Sequence, residues 1–324
     1  MIYLAIIVLS FFGTWLVRRY AIYKSILDIP NDRSSHTNPT PHGGGLAVAI
    51  ALFSGLSCFF VMGKIESSLF FALLCGVPLT LIGFADDIFN LKPAVRFLVQ
   101  FVCAGLALFF LGGLQNLAFG TWKLELAIPF AFLSFVAIIW SINLFNFLDG
   151  IDGYIGTEVV FLGIASFALI GQLVGLLLAA SVLGFLFWNW PKAKIFMGDV
   201  GSTLLGFTIA VLAIYCQNTH LLNLPVWLIL TSVFWYDATI TLWRRFHNGE
   251  QLSQAHRKHA YQRLVQSGWS HQKTTLGALL INMVGLGMAF MAHRFPYFDW
   301  LILSGNIGLM AIVMRFVDRR KQFN

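Results

Sequence analysis

Apolar runs with at most one charged residue recur along the chain at 2–17, 45–63, 68–85, 95–112, 127–148, 159–171, 173–190, 202–216, 224–243, 275–293 and 299–314. A bilayer core of about 30 Å takes about 20 helical residues, so the pattern predicts eleven membrane-spanning helices. Residues 159–190 form one uncharged stretch that as a single helix would reach roughly 48 Å. A turn at Gly171-Gln172 divides it into two spans. The first run is followed by Arg18, Arg19 and Lys24 rather than by a small-residue cleavage site, and it reads as a retained anchor helix. No internal repeat, low-complexity tract or separate soluble domain interrupts the pattern. The expected fold is all-α, a single polytopic domain over 1–324 with 10 or 11 transmembrane helices.

Composition agrees with the pattern. The chain is 58% hydrophobic and 11% charged, with a mean hydropathy of +0.78. Soluble domains carry about 25% charged residues, so a soluble enzyme is excluded. Cys58, Cys75, Cys103 and Cys216 all lie in apolar runs without CxxC spacing, which suggests neither a zinc site nor a disulfide framework. The net charge of +7 could serve nucleic acid, but no basic and aromatic platform occurs outside the apolar runs. Asymmetric insertion explains the charge better. With eleven spans, alternate loops collect 18 Lys and Arg on one side and only Lys64, Lys123 and Arg294 on the other. The positive-inside rule then puts the first set, and the C-terminus, in the cytoplasm. Most of the acids and histidines fall on that same face, which is therefore the expected active face.

Four segments there carry chemistry. Asp86-Asp87 follows the run ending Leu-Ile-Gly-Phe-Ala, where the pair either just ends the span or works at the membrane edge. Adjacent helical positions point about 100° apart, so one carboxylate can meet a metal or lysine and the other a nucleophile. In Asn143-Leu-Phe-Asn146-Phe-Leu-Asp149-Gly-Ile-Asp152-Gly153, a continuing helix would place Asn146, Asp149 and Asp152 on one arc. Such hard oxygen ligands suit Mg²⁺, with Mn²⁺ as the alternative ion. Phe196-Met-Gly-Asp199-Val-Gly-Ser202 adds a further membrane-edge carboxylate and a candidate metal ligand. In Thr40-Pro41-His42-Gly43-Gly44-Gly45, the glycines serve either phosphate contact or helix packing.

The largest cytoplasmic loop holds Arg244-Arg245 and His256-Arg-Lys-His259-Ala-Tyr-Gln-Arg263. On a helix, His256, His259 and Arg263 would form one cationic stripe, suited to a substrate diphosphate or to anionic lipid headgroups. Asp237 lies about two turns inside the ninth span, where a carboxylate needs a buried partner; Arg244 lies on the same face.

Taken together and in this order, these segments resemble the polyprenyl-phosphate N-acetylhexosamine-1-phosphate transferases, glycosyltransferase family 4. That family includes phospho-MurNAc-pentapeptide translocase and the enzymes that initiate O-antigen synthesis. Asp32-Arg-Ser-Ser-His36 and Ala255-His-Arg-Lys-His-Ala-Tyr-Gln262 look most like the short bacterial branch that starts lipopolysaccharide or capsule chains. Three positions depart from the translocase pattern: Asn90 and His36 stand where it has lysines, and its tight HxH is here His256-x-x-His259. These argue against a peptidoglycan precursor as donor and leave Arg96, His36 or Arg263 to clamp phosphate.

The resemblance implies transfer of an N-acetylhexosamine-1-phosphate from a UDP-sugar, 6-deoxy sugars included, to undecaprenyl phosphate, with release of UMP. It implies Mg²⁺ on Asn146 and Asp199. Asp86 and Asp87 would orient or deprotonate the lipid phosphate, and Asp149 and Asp152 would engage the uridine end or support it. His36, Gly43, Gly44, Arg96, Asn143, His256, His259 and Arg263 would bind substrate. The bacterial inner membrane is the expected location; membrane lipids are partners, nucleic acid is not, and a homodimer is compatible. A UbiA-type prenyltransferase would need NDxxDxxxD and a CDP-alcohol phosphotransferase DGxxAR, both absent. A transporter would hold its carboxylates near the midplane, whereas these gather at one face.

Overall fold

The computed structural model describes residues 1–30, 39–89, 91–119, 122–124, 126–252, 254 and 256–323, with backbone only at 118, 119, 122, 123 and 127. Every predicted apolar run is helical. In chain order the helices are α1 (Ile2–Tyr23), α2 (Gly45–Val61), α3 (Ser67–Leu74), α4 (Val77–Phe89), α5 (Pro93–Leu111), α6 (Ala127–Leu148) and α7 (Tyr154–Ile170). They continue as α8 (Leu173–Asn189), α9 (Asp199–Asn218), α10 (Leu224–Leu230), α11 (Ser232–His247), α12 (Ala260–Gln266), α13 (His271–Arg294) and α14 (Asp299–Arg320). Strand pairs are minor: β1 (Leu27–Asp28) with β2 (Thr40–Pro41), and a hairpin of β3 (Leu117–Phe119) and β4 (Trp122–Leu124).

Among the described residues, seven helical segments are long and apolar enough to cross a membrane, with α3 and α4 counted as one, and α10–α11 makes an eighth. The shorter apolar helices α2, α7 and α8 fill the remaining predicted runs. The chain is a multi-pass α-helical membrane protein. Large apolar side chains of α5, among them Leu98, Val102 and Phe109, point outward, as lipid-facing positions do. Nearly all of α9 is buried, and α2, α4 and α6 pack around it.

The turn at Gly171-Gln172 is present. Gly171 ends α7 at φ 68°, and the Gln172 side chain caps α8 by accepting from Val174 N at 3.2 Å. The predicted span 224–243 is instead a broken one, bent by 81° between α10 and α11. At the break, the Thr231 hydroxyl donates back to Trp227 O at 2.8 Å, a side-chain bond that competes with the helical ladder.

The ends of the bundle sort as the loops do. The C-termini of α4 and α6 and the N-termini of α5 and α9 meet at one end. Lys64, Glu66 and Gln172 share a cleft with Tyr215, near the far end of α9.

Candidate active site

Close helix crossing builds the acidic end. Gly83 of α4 lies against the first turn of α9, where an added Cβ would sit 2.6 Å from Val200 Cα and N. Only a residue without a side chain permits this approach, and it sets Asp86 and Asp87 beside Asp199. Asp87 Oδ1 accepts from Asp199 N at 3.1 Å, so a carboxylate of one helix caps the start of another. Its other oxygen, Oδ2, is buried without a hydrogen-bond partner among the described residues. Asp86 accepts from Leu91 N at 2.7 Å and from Arg96 at 2.6 Å. The same Arg96 nitrogen reaches Asp199 Oδ2 at 2.9 Å, and Asn146 donates to Asp199 Oδ1 at 2.8 Å.

Asp149 and Asp152 are not on the helical arc predicted for them, because α6 stops at Leu148 and Asp149 leaves the helix with ψ 59°. Half-buried Asp149 stays near the acids: desolvation pushes its carboxyl up to about 8, and Asp199, Asp87 and Asp152 add to the rise. Asp152 turns away; its carboxylate accepts from Ala193 N at 3.1 Å and lies 3.3 Å from His271 Nδ1, tying three segments together.

Of the two readings of the glycine motif, packing describes Gly44. Its N–H donates to Phe196 O at 2.9 Å, and a Cβ there would press on Phe185. Gly43 precedes it at φ 90°. His42, not singled out in the sequence, stands 3.8 Å from Asp87 Oδ1; that contact raises its pKa against the opposing cost of burial. The only hint was its place between Pro41 and Gly43. His36 lies outside the described residues.

A cavity of about 730 Å³ opens onto Arg96, Asn146 and Asp199. Its lining also includes apolar Leu79, Ile82, Phe97, Val136 and Trp140, and polar Asn143, His256 and His259. Asn143 donates to Gln100 Oε1 at 2.9 Å and to Ile139 O at 2.8 Å. Gln100, also on the wall, carried no sequence signal.

The histidine loop is not the cationic stripe expected, since helix begins only at Ala260. His256 accepts from Lys258 N at 3.3 Å, and desolvation, with His259 and Arg245 nearby, lowers its pKa to about 3, so it is neutral. Arg263 does not join the cavity: it is buried and donates to Asp318 at 2.7 Å. Buried Arg245 shapes the loop by donating to Gln251 O at 2.6 Å, Gln254 O at 3.1 Å and Leu252 O at 3.3 Å. Asp237 has its buried partner in His259, at 3.5 Å, while Arg244 forms a bidentate pair with Asp318 instead.

Residues 69–217 match the model of glycosyl transferase family 4. A probable undecaprenyl-phosphate N-acetylglucosaminyl 1-phosphate transferase of Bacillus subtilis is 33% identical over 84% of this chain and 78% of its own length. The chain belongs to glycosyl transferase family 4, the polyprenyl-phosphate N-acetylhexosamine-1-phosphate transferases. Undecaprenyl-phosphate alpha-N-acetylglucosaminyl 1-phosphate transferases of Yersinia pestis and Escherichia coli K12 are each 27% identical, over 93% and 89% of the chain and 86% and 83% of their own lengths. In this family 4 transferase the matched segment holds every carboxylate of the acidic end and stops short of the histidine loop.

The site fits a divalent cation by its donors. Among the described residues no three His, Cys, Asp or Glu converge as a closed cage. Mg²⁺ does not require one, since it uses one or two carboxylates and takes its other oxygens from water and substrate phosphate. Beside Arg96 and His42 the acidic end offers carboxylate and amide oxygens, and Asp87 Oδ2 is a buried carboxylate oxygen without a donor among the described residues.

Proposed function

We propose that this protein transfers N-acetylglucosamine-1-phosphate from UDP-N-acetylglucosamine to undecaprenyl phosphate, releasing UMP, in the bacterial inner membrane. The product starts a surface polysaccharide such as O-antigen. The observation that supports this reading is the cavity, whose lining combines apolar side chains suited to a prenyl chain with Arg96, Asn146 and Asp199. The names of the relatives support the donor and acceptor.

A lipid-phosphate oxygen attacks the phosphorus that bears the sugar. The bond from that phosphorus to the oxygen of UMP breaks, and a lipid-linked sugar diphosphate forms. Asp199 and Asn146 would hold Mg²⁺, which when bound supplies positive charge for the diphosphate and the departing UMP. Asp87 Oδ2 is free to take the acceptor's proton, and Asp86 fixes Arg96 beside Asp199. Asp149 meets the donor, Asp152 holds the surrounding loops, and Arg96 and His259 take phosphate oxygens.

Purified protein in detergent should release UMP only with both substrates and Mg²⁺ present. Chelation by EDTA should abolish turnover and added Mg²⁺ restore it. UMP release undiminished by EDTA would remove the ion from the reading. A reporter fused after Asp199 should read cytoplasmic; a periplasmic signal there would overturn the topology.

A further inference from the structure

The ninth-span carboxylate does more than fill a polar hole in the membrane. Asp237 is 4% exposed and is not on the wall of the reaction cavity. It accepts from Thr241 at 3.0 Å and from the backbone N–H of Ala260 at 2.8 Å, so it is held on one side by its own helix and on the other by the start of α12. Its Oδ1 lies 3.5 Å from Nδ1 of His259. His259 is equally buried, and its backbone N–H is held by Gln262 at 3.2 Å. The ring belongs to the cavity wall, together with Asn146 and Asp199. Nδ1 faces Asp237 across that gap, and Nε2, on the other side of the ring, is like Nδ1 buried without a hydrogen-bond partner among the described residues. A buried ring nitrogen left unpaired beside a reaction cavity is expensive unless a ligand completes it.

We propose that Asp237 is a positioning residue for the transfer reaction: facing Nδ1 of His259, it fixes the direction of the ring so that the imidazolium presents Nε2–H to a phosphate oxygen in the cavity. This rests on the reading of His259 as a phosphate contact. An imidazolium carries a proton on each nitrogen, so with Nδ1 turned to the carboxylate Nε2–H is the outward donor. His256, whose tilted ring lies 4.8 Å away, is neutral and supplies no positive charge.

The alternative role, capping α12 through Ala260 N, also costs activity when lost but does not depend on the imidazole. A double-mutant cycle on the full-length protein in detergent separates the two. UMP release from UDP-N-acetylglucosamine and undecaprenyl phosphate is measured for Asp237→Asn, His259→Ala and the double variant. Loss of an orienting partner typically costs about 10- to 100-fold, so Asp237→Asn should lower kcat/KM by at least about 10-fold. In the His259→Ala background the same change should cost less than about 2-fold, since the group it orients is gone. An undiminished loss in that background overturns the proposal and leaves Asp237 as a cap. Full activity of His259→Ala overturns the phosphate reading beneath it, a distinguishable result. If Asp237→Asn does not purify as folded protein, Asp237→Glu replaces it in the same cycle, with the same two outcomes.

Discussion

Two charged regions share the active end of the molecule and are built in opposite ways. At the carboxylate end, Asp86, Asp87, Asp149 and Asp199 gather around one arginine, Arg96, with His42 at the edge. Oxygen atoms outnumber donors there, and Asp87 Oδ2 has none. In the basic loop, by contrast, the arginines and lysine that looked available are taken. Arg244 and Arg263 share Asp318, and Arg245 and Lys258 share Glu250. The ring of Phe323 lies 5.3–5.5 Å from Arg244, Arg263 and Lys258. Charge left over in a protein is charge meant for a ligand, whereas charge neutralised within it holds a shape. A count of basic residues cannot separate these cases. The pairing does.

Mutation of each region tests that contrast. The largest effect belongs to Asp199→Asn, which keeps the shape and removes one charge from the unbalanced cluster. Turnover should fall by at least about 10²-fold, or about 2.7 kcal/mol in the barrier, with the protein still folded in detergent. Near-normal turnover would take Asp199 out of the reacting centre.

Next comes His259→Ala. As a phosphate contact its loss should cost about 10-fold or more even with a short, detergent-soluble polyprenyl phosphate, at low and high salt alike. Were the loop only docked on anionic headgroups, at about 1 kcal/mol per basic residue, the defect would vanish in neutral detergent.

Asp318→Asn probes the paired region. It leaves buried Arg263 short of its carboxylate and should lower stability by about 1–3 kcal/mol, read as a fall in the detergent melting temperature. Activity per folded molecule should fall far less than with Asp199→Asn; a matching loss would erase the difference between the regions. The smallest change is expected for Lys258→Ala. Its partly buried pair with Glu250, which Arg245 also faces, is worth about 1 kcal/mol or less, and the melting temperature and rate should stay close to those of the unmodified protein.

Much of this was legible without coordinates. Long apolar runs with at most one charged residue have one stable solution in a bilayer, a helix, because every backbone polar group must be satisfied internally. The same logic placed the turn at Gly171-Gln172 and put Asp86, Asp87, Asn146 and Asp199 at the membrane edge, where the fold brings them together. It also required a buried partner for Asp237. Spacing was a poorer guide wherever it assumed a continuing helix: α6 ends at Leu148, which sends Asp152 to Ala193 and His271, and the histidine loop is not helical before Ala260.

Sequence alone therefore determined which residues are membrane-embedded and which acids sit at its edge, since burial in lipid is decided by composition over a window of about 20 residues. Only the tertiary structure decided which charges are free. Whether Arg96 or Arg263 faces a ligand depends on partners 103 and 55 positions away in the chain, Asp199 and Asp318, and no local pattern encodes a contact across that distance.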